Sequence, residues 1–101
     1  MSRKDRNRKA VKRWAPAPVF AALGDDTRLF LVAKLCGGER CSISQLTAGS
    51  KLTRQAITKH LRVLESARIV HSVRSGRQRL FEFDPKPMEE VERYLALVCQ
   101  Q

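Results

Sequence analysis

The stretch Leu52–Val70, LTRQAITKHLRVLESARIV, constrains the chain more than any other segment. Ile57, Leu61 and Leu64 recur at helical spacing, so one face of this helix must be buried against a core. The same segment carries Arg54, Lys59, Arg62 and Arg68 against a single acid, Glu65. A fold that accepts it must anchor a short amphipathic helix by its apolar stripe and leave a strongly positive face outside.

The segments before this helix prepare such a placement. Val19–Leu23 reads as a short helix closed by Gly24, taken as a left-handed C-terminal residue. Asp25 is an N-cap for a second helix over Asp26–Cys36, which Gly37-Gly38 ends. Cys41–Ile43 is a brief extended piece and Ser44 the next cap. Gln45–Ala48 forms a short third helix, and Gly49-Ser50 a turn. Thr53 then caps the fourth helix, Arg54–Ala67. After it, Ile69–Arg74 and Arg79–Phe83 form a β-hairpin around Ser75-Gly76, with Phe81 and Phe83 alternating with Leu80 and Glu82. Asp84 and Pro85 stop the strand, and Pro87 opens a last helix to about Val98, with Met88, Val91, Leu95 and Val98 as its apolar stripe. The fold class expected is mainly α with a small β-hairpin, an α+β winged helix-turn-helix. Residues 1–15 are expected as a basic, flexible N-terminal tail, and 16–101 as one DNA-binding and dimerisation domain.

A short helix, a glycine turn and a basic amphipathic helix make a helix-turn-helix. Its second helix lays residues near its N-terminus against base edges in the major groove. Arg54, Gln55, Thr58, Lys59 and Arg62 project from the side opposite the apolar stripe. Arg54 has the fork for a guanine edge and Gln55 the donor–acceptor pair for adenine. Thr53 and the helix N-terminus suit a phosphate. His60 fits either the core edge or a phosphate contact, and His71 an exposed strand position. Arg74, Arg77 and Arg79 surround the hairpin tip, VRSGRQR, where a flanking phosphate or minor groove would lie.

Charge distribution strengthens this reading. The chain has 20 Lys+Arg and 10 Asp+Glu, a formal net charge of +10. Seven cations lie in residues 1–14 and eight between Lys51 and Arg79, so 15 of the 20 fall in two blocks. Such clustering makes a polyanion the first partner to consider. The tail is expected to add affinity through counterion release with little sequence choice. Trp14 anchors the tail or stacks on a base.

Several classes are disfavoured. The apolar runs Val19–Leu23 and Leu29–Ala33 have five residues each, far from the roughly 20 of a membrane span. The expectation is therefore a cytoplasmic protein with no membrane partner. Three cysteines, Cys36, Cys41 and Cys99, are an odd number without a CxxC pair, which fits a reducing compartment. Cys36 reads as a buried structural thiol, although Cys36 and Cys41 are a candidate pair for a soft metalloid or a regulatory disulfide. Phe30 stands off the Leu29–Val32–Cys36 stripe, as a candidate dimer or ligand contact. No nucleophile with a base, paired acids or metal cluster is assembled, so no enzyme activity is expected.

ALGDDTRLFLV, ISQL, LTRQAITKHLRVLESARIV, the SGR turn and FEFDPKP resemble, in order and spacing, the winged-helix ArsR-type repressors over about Phe20–Leu97. That resemblance implies a homodimeric bacterial transcription factor, usually a repressor released from its operator by a signal. It also implies dimerisation through the first and last helices, here by Val19, Phe20 and Leu23 with Val91, Tyr94, Leu95 and Val98. Metal-sensing members carry a Cys-x-Cys-type motif where this chain has CSISQL. Its last helix, PMEEVERYLALVCQ, lacks the His and carboxylate ligands of the family's other metal site. Neither metal site carries over, no cofactor is expected, and the inducer stays unknown. The expected partners are double-stranded DNA and a second copy of the chain. The alternative reading is a winged-helix protein-interaction or RNA-binding module without operator specificity.

Overall fold

The computed structural model describes residues 16–100. The basic tail expected over residues 1–15, with Trp14, lies outside the described residues.

Five helices and three strands follow in the order α1 (Ala17–Leu23), α2 (Asp26–Leu35), β1 (Cys41–Ser42), α3 (Ile43–Thr47), α4 (Arg54–Ser66), β2 (Val70–Ser75), β3 (Gln78–Phe83) and α5 (Lys86–Cys99). Proline opens both outer helices: Pro18 lies in the first turn of α1 and Pro87 in that of α5, where a missing N–H costs nothing. Asp25 caps α2 by accepting from the Arg28 N–H at 3.1 Å.

Gly24 differs from expectation. Its φ is −78°, so it is not left-handed; its N–H closes a tight turn on the Ala21 carbonyl at 3.3 Å, and the chain runs straight into the Asp25 cap. The α3 cap also moves, from Ser44 to Ser42. The Ser42 hydroxyl accepts from the Gln45 N–H at 3.2 Å, and the Gln45 side chain accepts from the Ser42 N–H at 2.8 Å. This reciprocal box draws Ile43 into the helix rather than the strand.

β1 pairs with β3, Cys41 opposite Phe81 and Ser42 opposite Leu80, so the sheet has three antiparallel strands in the order β1-β3-β2. β2 and β3 form the wing, joined by Gly76 and Arg77 between the paired Ser75 and Gln78. Gly76 has φ +62°, as glycine at the first position of a two-residue hairpin turn does.

The core gathers Leu31 and Leu35 of α2, Leu46 of α3, and Ile57, Leu61 and Leu64 of α4, closed by Ile69, Val70 and Phe81 from the sheet side. On α2 the expected stripe is corrected. Leu31 and Leu35 are buried while Leu29 and Cys36 are exposed, so Cys36 is not a core thiol. The apolar run Leu29–Ala33 offers two competing helical stripes, and Arg28, which shares a face with Leu31 and Leu35, marks the one used. Val19 and Ala22 of α1 and Val91 of α5 complete the core where α1 packs on α5.

Candidate nucleic-acid interface

α3, the turn at Gly49 (φ +77°) and α4 make the helix-turn-helix. Thr53 begins α4 by accepting from the Ala56 N–H at 3.1 Å, which leaves its own O–H free to donate. With Ile57, Leu61 and Leu64 buried, Arg54, Gln55, Lys59 and Arg62 stand exposed. Together with Thr58 they line a shallow groove of about 260 Å³. Thr58 is half-buried, and its hydroxyl donates to the Arg54 carbonyl at 2.7 Å, so its O–H is already engaged within the helix.

Arg54 is held back by its neighbour. Its Nη1 donates to the Ser44 hydroxyl of α3 at 3.0 Å, a bond across the whole turn. Arg77 and Arg79 of the wing approach the same point, and a second concavity of about 230 Å³ lies between α3, the start of α4 and the wing. Arg79 stands directly opposite Arg74 in the β2–β3 register, a like-charge pair that weakens an isolated hairpin. Among the described residues, none of Arg54, Lys59, Arg62, Arg74, Arg77 or Arg79 pairs with a carboxylate. A surface with this many unpaired cations is built for an external anion.

His60 does not join that row. It lies half-buried against α2, its Nδ1 receiving the Arg28 Nη1 at 3.2 Å and lying 3.7 Å from the Asp25 carboxylate. The physical reason is position: His60 precedes the buried Leu61 and follows Ile57 by three residues, on the flank that meets α2. Arg28 also donates from Nε to the Ala22 carbonyl of α1. The Asp25 carboxyl is held below its ordinary range, first by the Arg28 N–H and further by the nearby Arg28 charge. This three-residue link was missed in the sequence. A polar residue on the Leu31–Leu35 face of α2 was its available signal. His71 is exposed, as expected, and pairs with Asp84 at 2.7 Å.

The candidate dimer residues divide in two. Val19 and Val91 are 5% and 8% exposed, so packing α1 against α5 within one chain already uses them. Phe20, Tyr94, Leu95 and Val98 are all more than a third exposed, and Leu23 is half-buried. The Phe20 and Tyr94 rings meet edge-on at 5.8 Å. Leu97, three residues beyond Tyr94 and 50% exposed, widens this stripe and was not among the expected residues. Leu29 and Phe30 add exposed apolar surface on α2.

Comparison with known proteins agrees with this architecture. Residues 25–72 match the bacterial regulatory protein, arsR family. The chain is 37% identical over 79 residues to an uncharacterized HTH-type transcriptional regulator, YuzN, of Bacillus subtilis, spanning 72% of this chain and 86% of that one. This chain belongs to the ArsR family. An ArsR-like transcriptional regulator from Rhodococcus sp. RHA1 superposes with a TM-score of 0.74 at 34% identity, over 84% of this chain and 79% of its own. A Synechocystis protein named as a transcriptional repressor SmtB homolog is 39% identical over 61 residues, 60% of this chain and 46% of that one. As an ArsR-family protein the chain is a DNA-binding transcriptional regulator with a winged helix-turn-helix, and not an enzyme. No helix among the described residues is long and apolar enough to cross a membrane.

Proposed function

We propose that this ArsR-family regulator is a repressor that binds an inverted-repeat operator as a homodimer. The observation that carries the reading is the division of the surface. Unpaired cations occupy α4 and the wing, while five of the eight exposed large apolar side chains among the described residues lie on α1 and the second half of α5. α4 enters the major groove with Gln55, Lys59 and Arg62 toward base edges, and Thr53, Arg74, Arg77 and Arg79 toward the backbone. Phe20, Leu23, Tyr94, Leu95, Leu97 and Val98 meet their counterparts in the second copy. His60 positions α4 from behind and does not touch DNA. The name of the Synechocystis relative supports a repressing role.

Two-fold symmetry then sets the operator: half-sites inverted and roughly 34–36 Å apart, about one helical turn. The test is selection of duplexes from a random pool, followed by sedimentation of the selected complex. Enrichment of an inverted repeat bound by two chains is the expected result. A single chain on a non-palindromic site would overturn it, and equal affinity for unrelated duplexes or structured RNA would favour an interaction module without operator specificity.

A further inference from the structure

We propose that Arg54 does not read a base, and that Arg54, Arg77 and Arg79 together form a cradle for one DNA backbone phosphodiester between the helix-turn-helix and the wing. The inference rests on the DNA-binding reading above and assigns roles within it.

Arg54 is the first residue of α4, the position from which a guanidinium would be expected to reach a guanine edge. That reading needs two adjacent N–H groups presented together in the plane of the base. Here the Nη1 of Arg54 is bonded to Ser44 on α3, which turns the fork toward the gap between α3 and the wing. The gap is open, about 230 Å³, and three of its lining side chains are guanidinium groups with no carboxylate among them. Ser44 is neutral, so the bond fixes direction without cancelling charge.

The wing supplies the second observation. Arg79 and Arg74 face each other across the strands, and Arg77 follows in the turn. Like charges in direct register destabilise the hairpin unless a counter-anion sits between them and the helix. A phosphodiester fits that demand: it carries one negative charge on two non-bridging oxygens, which planar guanidinium forks grip in pairs. Arg54 lines both this gap and the groove along α4. A strand whose bases face α4 therefore has its sugar–phosphate chain beside the gap, and a backbone phosphate is the anion delivered there. Base choice falls to Gln55, Lys59 and Arg62.

The experiment compares wild type, Arg54→Ala and Gln55→Ala on the selected operator and on a random duplex across a potassium chloride series. Arg54→Ala is expected to weaken both duplexes by about tenfold and to lower the salt slope by about one, leaving their ratio unchanged. Gln55→Ala is expected to shrink the ratio and keep the slope. A second arm replaces the phosphates of one half-site, one at a time, by neutral methylphosphonates. One position is expected to cost wild type about tenfold and to cost Arg54→Ala nothing further. The wild-type half of that arm alters only the DNA, so a single sensitive phosphate is still read out even where the variant folds poorly. Loss of discrimination in Arg54→Ala at unchanged slope would overturn the cradle, as would additive losses at every phosphate. If wild type prefers no sequence, the operator reading fails by itself, and the salt slope of Arg54→Ala on random duplex still decides the cradle.

Discussion

Removing Arg28 tests whether one side chain ties three helices together. Its guanidinium joins the Ala22 carbonyl of α1 to His60 of α4, while its own N–H is held by Asp25 at the start of α2. For Nδ1 of His60 to accept from Arg28, the imidazole must carry its proton on Nε2. A hydrogen bond from a charged group contributes about 1.5–3 kcal/mol when buried. The site is half-buried, so two such bonds amount to about 1.5–3 kcal/mol after roughly halving for solvent. A domain of this size holds only about 5–10 kcal/mol in all. At about 4–8 °C per kcal/mol, Arg28→Ala should lower the melting temperature by about 6–24 °C. Arg28→Lys, with one point charge in place of the fork, should recover less than half of that. The assay is thermal melting by circular dichroism at fixed protomer concentration, since association would otherwise shift the midpoint. Combining Arg28→Ala with His60→Ala should show coupling of about 1 kcal/mol. A melting shift under about 3 °C, or strict additivity of the pair, would refute the argument.

Arg68 has φ +64° at the end of α4, where the Ile69 N–H reaches the Leu64 carbonyl and the Arg68 N–H the Glu65 carbonyl, both at 2.9 Å. Glycine is the residue that position favours, so Arg68→Gly should stabilise by about 1 kcal/mol and Arg68→Ala should not, as read by urea midpoints. The Asp84 carboxyl is held low, first by the His71 side chain and next by the Lys86 N–H at 2.9 Å. A depressed carboxyl adds stability above its unfolded pKa that is lost as pH falls through the folded one. Asp84→Asn should therefore flatten the loss of stability below about pH 4, and parallel curves for the two proteins would count against it. Leu97→Glu places a charge in the exposed α5 stripe and should yield a folded monomer in sedimentation; an unchanged oligomeric state would remove Leu97 from the interface.

What was legible in the sequence follows from the strength of each local signal. The α4 stripe Ile57–Leu61–Leu64 has one solution, because Val63 is the one other apolar residue between Ile57 and Leu64 and it makes no competing helical stripe. The Asp25 and Thr53 caps and the wing were equally direct. On α2, five consecutive apolar residues made two stripes equally periodic, and only packing against α4 chose between them. The third strand was hidden because two residues of β1 carry no period of their own; pairing with β3 defines them. Ser42 prevailed over Ser44 as a cap because Gln45 stands three residues after it and completes the box. At the interface, side-chain identities were readable, but their roles depended on contacts across the turn. The Ser44–Arg54 bond does not follow from spacing along one helix, and spacing alone leaves His60 between the core edge and a phosphate contact, a choice that Arg28 of α2 decides.

The burial along α5 separates folding from association. Pro87 and Val91 are buried, but from Glu92 onward every described residue of the helix is exposed, including Tyr94, Leu95, Leu97 and Val98. One chain thus closes its core with the first half of α5 and leaves the apolar side chains of the second half exposed. α1 serves both faces, with Val19 inward and Phe20 edge-on to Tyr94. In the proposed dimer, spacing two α4 helices one DNA turn apart requires a stiff path from α1 to α4 within each chain. The apolar contacts of the core supply part of it, but they tolerate small slides because dispersion has no direction. Directional bonds do not. The path Ala22–Arg28–His60 runs from the last turns of α1 to the middle of α4 in three residues, and it is made of hydrogen bonds with fixed geometry. It lies behind the exposed cations of α4, where His60 meets α2 while Lys59 and Arg62 stay exposed.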